Sequence, residues 1–307
     1  MMDKPVFMIG MPRSGTTVLS EAISFHEKFG WLPNYLRRFP KTPMSCLINR
    51  VTSVPKIGWY LRGKKKQDKN SVSLLRRFLP YSAEVFPFWE KVLGENFSWD
   101  YLIEKSATED QKKNLTGLIR RVLLLQGKNR LFAKFIGPPR IHFLNSIFPE
   151  SSFIHIIRDP RPVVSSLLKV NFWKKNGGFI RPWWQNGLME KDKQDWVKYN
   201  RSPVALAAVQ WRRVIEITWK ERVSLCNNRF IEVKYEDFVN NPHEVLSSIF
   251  FKLKISDSNI AHKYISSIGR LYNMNYKYKV QLADHEIAII EKITHQTAQV
   301  AGYDFRQ

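Results

Sequence analysis

Short apolar, β-rich runs alternate along this chain with longer stretches of helical periodicity. Four runs read as core strands: Val6–Ile9, Leu131–Phe135, Phe153–Ile157 and Phe230–Lys234. A helix-like stretch follows each, at once or after a loop. That alternation predicts an α/β fold with a P-loop-type central parallel sheet and helices on both faces. Helix starts are marked too. Asp159 precedes Pro160 and Asn241 precedes Pro242, each a capping side chain followed by proline at the first helical position. The longest helical pattern runs from Pro203 to Asn227. Around 171–202 the periodicity gives way to a Trp- and Gly-rich stretch. Long irregular segments of this kind often serve as lids, so a lid or acceptor-binding insertion is expected there. An apolar cluster beneath a long loop is the other reading. With no repeats or low-complexity tracts, residues 1–307 are expected to form a single domain.

Charge narrows the partners. Lys plus Arg number 49 against 27 acidic residues, a net +22. Such an excess favours nucleic acid, a membrane surface, or phosphate- and sulfate-bearing ligands. The basic residues are spread along the chain and no nucleic-acid-binding motif appears, so nucleic acid is not the expected partner. The run Arg62–Asn70 reads as an exposed loop. Two cysteines, Cys46 and Cys226, make neither a disulfide framework nor a metal motif. A reducing compartment and no metal are expected. No apolar run approaches the roughly 20 residues of a membrane-spanning helix, and no signal-peptide pattern is seen. The expectation is a cytoplasmic bacterial protein whose charge holds it peripherally at anionic membranes. Oligomeric state is not legible.

The stretch "IGMPRSGTTVLSEAI", Ile9 to Ile23, carries the first chemistry. Its spacing approaches that of a nucleoside-triphosphate loop, but Thr16 stands where such a loop requires lysine. A strand running through a glycine turn into a helix presents backbone N–H groups, a ready anion site. Arg13 adds charge, Ser14, Thr16 and Thr17 add hydroxyls, and Gly15 permits close approach. This suits a 5′-phosphate better than a magnesium triphosphate. The third strand ends in Arg158 rather than in an acidic magnesium ligand. Ser166 follows Arg158 by eight residues, a little over two helical turns, so both reach one small anion. Two anion sites on one sheet indicate a nucleotide phosphorylated at two positions.

With these two motifs in order, the chain resembles the PAPS-dependent sulfotransferases, in the branch of tyrosylprotein, carbohydrate and many bacterial members. "VKYEDFVNNP" (Val233–Pro242) and the basic tail "GRLYNMNYKYKVQLADHEIAIIEKI" extend the similarity over most of the chain. The resemblance implies that Pro12–Thr17 hold the 5′-phosphosulfate of 3′-phosphoadenosine-5′-phosphosulfate (PAPS), while Arg158 and Ser166 hold its 3′-phosphate. Tyr235, Lys277 and Lys279, with Arg270 as a weaker candidate, would complete the nucleotide site. Arg13 and Lys134 are the cations expected to stabilise developing charge. Where tyrosylprotein relatives carry a glutamate base, this chain has Pro33 and Asn34. Glu84, among aromatic residues, is the candidate base, with His26 the alternative. The implied reaction moves a sulfuryl group to a hydroxyl of a glycan, glycolipid or other metabolite, leaving 3′,5′-adenosine bisphosphate. A P-loop kinase and a nucleotide-binding protein without turnover are the competing readings.

Overall fold

The computed structural model describes residues 3–54, 57–63, 78–225 and 228–305. Five parallel strands form the sheet: β1 (Val6–Gly10), β2 (Phe29–Trp31), β3 (Arg130–Lys134), β4 (Ser152–Ile157) and β5 (Phe230–Lys234). Their order is β2-β3-β1-β4-β5. The expected strands are all present, with ends shifted by one residue in three of them. β1 reaches Gly10, β3 runs from Arg130 to Lys134 so that Phe135 lies just beyond it, and β4 begins at Ser152. Every residue of β1, β3 and β4 is buried, which is why these strands read as continuous apolar runs rather than alternating ones.

β2 was not expected. It is three residues long, with Gly30 at its centre, too short to show a period. That glycine is required by packing. A Cβ there would stand 2.5 Å from Leu123 Cδ2, on the helix Glu109–Gln126 that lies against this edge of the sheet.

The two sheet faces divide along β1 with period two. Phe7 and Ile9 join the core with Leu131, Phe153, Trp89 and the helix Glu109–Gln126. Val6 and Met8 join the opposite core with Ile154, Val233 and the helices Thr16–Ser24, Pro242–Lys252 and Asn259–Ser267. A third apolar cluster surrounds the helix Pro203–Arg222, which packs against Pro160–Leu167 and Asp284–Val300.

Helix signals held unevenly. The Asp159 carboxylate caps Pro160–Leu167, accepting from the Arg161 N–H at 2.8 Å. Asn241 occupies the corresponding position before Pro242 but makes no side-chain cap. The long helix ends at Arg222 rather than Asn227, and residues 226–227 lie outside the described set. The tryptophans of 171–202 are largely interior. Trp173 and Trp184 are buried, and Trp183 stacks on Trp184 at 4.8 Å. Much of their indole surface therefore belongs to the core around Pro203–Arg222.

Two further expectations need correction or qualification. Arg62, read as part of an exposed loop, is buried: its guanidinium lies over the Phe25 ring and donates to the Ser24 carbonyl at 2.8 Å. Residues 64–70 of that run, and Cys226, lie outside the described residues. Among the described residues, no helix is long and apolar enough to cross a membrane.

Candidate active site

β1 has β3 on one side and β4 on the other, so the chain's winding reverses across it. In open parallel sheets, ligands bind beyond the carboxyl ends of the strands at such a point. A cavity of about 550 Å3 lies there. The loop after β1 lends it Arg13, Gly15, Thr16 and Thr17. The segment after β4 lends it Arg158 and Ser166, and Tyr235 follows β5. The tail adds Arg270 and Lys277.

The loop is shaped for an anion. Arg13 (φ 75°) and Gly15 (φ 83°) are both left-handed, which curls successive N–H groups into a concave turn. Gly15 is required twice over, because a Cβ would lie 2.7 Å from the Tyr235 ring. It heads the helix Thr16–Ser24, which has no side-chain cap and no acidic residue in its first turn. The helix N-terminus is thus left to whatever enters the loop. Ser14 is fully buried, and its hydroxyl has no hydrogen-bond partner among the described residues. A buried orphan hydroxyl in an uncapped loop fits an anionic group.

The two anion elements are bonded to each other through Arg13. Its Nε donates to Ser166 Oγ at 2.8 Å, and its carbonyl accepts from Arg158 Nη1 at 2.7 Å. Arg13, expected at the 5′ end, is therefore turned towards the element assigned to the 3′-phosphate. Arg158 lies 4.0 Å above the Tyr235 ring and donates from Nε to Asn275 Oδ1 at 2.9 Å. Asn275 Nδ2 donates to Glu236 Oε1 at 2.7 Å, and the Tyr303 hydroxyl donates to Glu236 Oε2 at 2.9 Å. Burial lowers the pKa of both Arg13 and Arg158, a cost that a bound anion would offset.

Lys134 and Glu84 form a second group at the carboxyl end of the sheet and do not line the cavity. Lys134 is the last residue of β3, and its ammonium is ion-paired with the Glu84 carboxylate. Both side chains are largely buried, 5% and 13% exposed. Pro33 and Asn34 turn out to fasten the segment that bears Glu84. Pro33 bridges to Ser82, Asn34 Oδ1 accepts from the Tyr81 N–H at 3.0 Å, and Arg37 Nε donates to the Glu84 carbonyl at 3.2 Å.

Two candidates fall elsewhere. His26 follows the helix Thr16–Ser24 at the end away from the loop, 2% exposed, with both ring nitrogens engaged. Nε2 bonds the Ser256 carbonyl at 2.8 Å and Nδ1 the Lys28 N–H at 3.1 Å. It is not available as a base. Lys279 is exposed and does not line the cavity, although Lys277 in the same 3-10 helix does.

Sequence reasoning missed Lys169, Asn275 and Glu236. Lys169 lines the cavity three residues after Ser166, a spacing that was there to be read. Asn275 lies 117 residues from Arg158, with no local signal. Asp159, the carboxylate nearest the end of β4, is committed to Arg161, whose Nη2 it holds at 2.7 Å. Among the described residues, no cluster of three or more His, Cys, Asp or Glu could hold a metal.

The proteins to which this chain is similar are sulfotransferases. The sulfotransferase family model matches residues 126–258, which hold β3, Arg158, Ser166 and Tyr235 but not the loop after β1. The omega-hydroxy-beta-dihydromenaquinone-9 sulfotransferase of Mycobacterium bovis is 23% identical over 98% of this chain and 76% of its own length. A sulfotransferase from Mycobacterium avium superposes with a TM-score of 0.57 at 16% identity, over 98% of this chain and 77% of that one. The sulfotransferase domain of the curacin biosynthetic pathway gives 0.51 at 15% identity, over 99% of both chains. The two solved structures share the fold, and residues 126–258 match the sulfotransferase family model: over that part of its sequence the chain is similar to the sulfotransferases.

Proposed function

We propose that this protein transfers a sulfuryl group from PAPS to a hydroxyl of a glycan, glycolipid or other metabolite, releasing 3′,5′-adenosine bisphosphate. The observation that carries the reading is the pair of anion elements, Arg13–Thr17 and Arg158 with Ser166, facing one 550 Å3 cavity and joined through Arg13. A nucleotide phosphorylated at both ends matches that pair. When bound, PAPS supplies the activated sulfuryl group.

In this reading the N–H groups of the loop, Ser14 and the hydroxyls of Thr16 and Thr17 hold the 5′ end. Arg158 and Ser166 hold the 3′-phosphate, and Lys277 screens it from the tail. Tyr235 orients Arg158 from below. Arg13, bonded between the two elements, stabilises charge across both. Glu84 takes the proton of the acceptor hydroxyl, and Lys134, ion-paired with it, holds the carboxylate in place. The acceptor then approaches from the β2–β3 side of the sheet. The mycobacterial relative is named for a hydroxylated menaquinone substrate, which favours a lipid-linked hydroxyl. The whole chain would act as one domain, cytoplasmic, with residues 171–202 bordering the acceptor. A kinase reading is less well supported, because Thr16 replaces the phosphate-binding lysine and Asp159 is already spent on Arg161.

The test is turnover. Purified protein given PAPS and a panel of lipid and sugar alcohols should release 3′,5′-adenosine bisphosphate at the same rate with and without EDTA. Turnover of ATP with magnesium, and none of PAPS with any acceptor, would contradict the proposal.

A further inference from the structure

The segment Pro43–Val51 is built with its apolar face outward. Two short helices, Pro43–Leu47 and Ile48–Val51, run end to end. Met44, Leu47, Ile48 and Val51 follow the i, i+3, i+4, i+7 spacing of one helical stripe. Ordinary surface helices bury that stripe. Here all four are exposed, with Met44 58% and Val51 44% accessible, while Cys46 and the polar Asn49 face inward. The orientation is pinned. Asn49 Nδ2 donates to the Trp31 carbonyl at 3.2 Å, and the Arg50 guanidinium donates to the carbonyls of Leu125 and Leu124 at 2.8 and 3.1 Å. Phe39, 54% exposed, adds a further outward apolar side chain just before the stripe in sequence.

Charge accompanies the stripe. Between Glu27 and Glu84 the sequence holds thirteen lysines and arginines and one acidic residue, Asp68. More than half of the chain's net +22 arises in this stretch. Arg38 and Lys41, immediately before the stripe, are both exposed. An outward apolar stripe preceded in sequence by the exposed Arg37, Arg38 and Lys41 fits the interface of an anionic bilayer, where apolar side chains enter the acyl boundary and cations meet headgroups.

We infer that Phe39–Val51 is a docking surface for anionic lipid bilayers, seated beside the Lys134–Glu84 pair. Resting on the proposed sulfuryl transfer, this deepens it: the acceptor hydroxyl is presented at a membrane surface. Arg37, two residues before Phe39, bonds the Glu84 carbonyl, so the docked surface and the candidate base share one backbone connection.

The experiment is co-sedimentation with phosphatidylcholine vesicles, with and without phosphatidylglycerol, at low and high salt. Wild type should sediment with the anionic vesicles alone. The pair Ile48→Asp and Val51→Asp, and separately Arg38→Glu and Lys41→Glu, should each weaken partition on the order of tenfold. Salt should weaken wild type more than the charge-reversed pair. Thermal melting of each variant reports folding, so failure of the transfer proposal does not count against docking. An Ile48→Trp variant covers misfolding of the aspartate pair, and its emission should shift to the blue on anionic vesicles. Three outcomes overturn the inference: no vesicle binding by wild type at low salt, equal partition by folded variants, or a dimer by light scattering that both aspartates dissolve.

Discussion

Glu84 and Lys134 carry the proposed mechanism at the scale of single residues. The Lys134 ammonium is ion-paired with the Glu84 carboxylate in a largely buried site, and a carboxylate is the group a general base requires. Glu84→Gln keeps the size of the side chain and removes its capacity to take a proton. PAPS turnover should fall by about 10^2- to 10^4-fold, with bisphosphate affinity unchanged within about twofold. Turnover within a few-fold of wild type would move the base elsewhere. The sequence indicated both residues, by resemblance and by chemistry. It could not show that they meet, since 50 positions separate them and the contact depends on Pro33 and Asn34 folding the segment back. His26 shows the converse. Its neutral-range chemistry recommended it, but burial against the Ser256 carbonyl decides its role.

At the scale of elements, the cavity is three strand ends closed by a tail. Tyr235–Asn240 supplies Glu236, and the 3-10 helix Asn275–Val280 supplies Asn275. Asn275 accepts from Arg158 Nε and is itself held by Glu236. Asn275→Ala should therefore act on one end of the ligand. Affinity for 3′,5′-adenosine bisphosphate should drop about tenfold, while affinity for 5′-AMP stays near wild type. Parallel losses for both ligands would mean that Asn275 only supports the fold. The strands leading to this cavity were legible because buried parallel strands are continuous apolar runs. β2 was not, because three residues around a glycine have no period. Capping was half legible: Asp159 bonds its helix as its position suggests, whereas Asn241 has the position without the bond.

For the whole molecule, the +22 charge has two separate addresses. Part of it converges on the cavity as Arg13, Arg158, Lys169, Arg270 and Lys277, drawn from distant parts of the sequence. More than half arises in the sequence between Glu27 and Glu84, the stretch that also contains the outward apolar stripe. Net charge alone indicated an anionic partner but not where on the surface it binds, because the lysines and arginines of one site come from different strand ends. The fold as a whole was the most legible level, since strand–helix alternation constrains a parallel sheet strongly. The central claim, that one cavity grips a nucleotide by two phosphates without metal, is tested most directly by calorimetric titration. Wild type, Arg13→Ala and Arg158→Ala would be titrated with 3′,5′-adenosine bisphosphate, and with ATP in the presence and absence of magnesium. The account predicts tight, metal-independent binding of the bisphosphate over ATP, weakened at least about thirtyfold by either substitution. Preference for the magnesium triphosphate, or no nucleotide binding by folded protein, would contradict it.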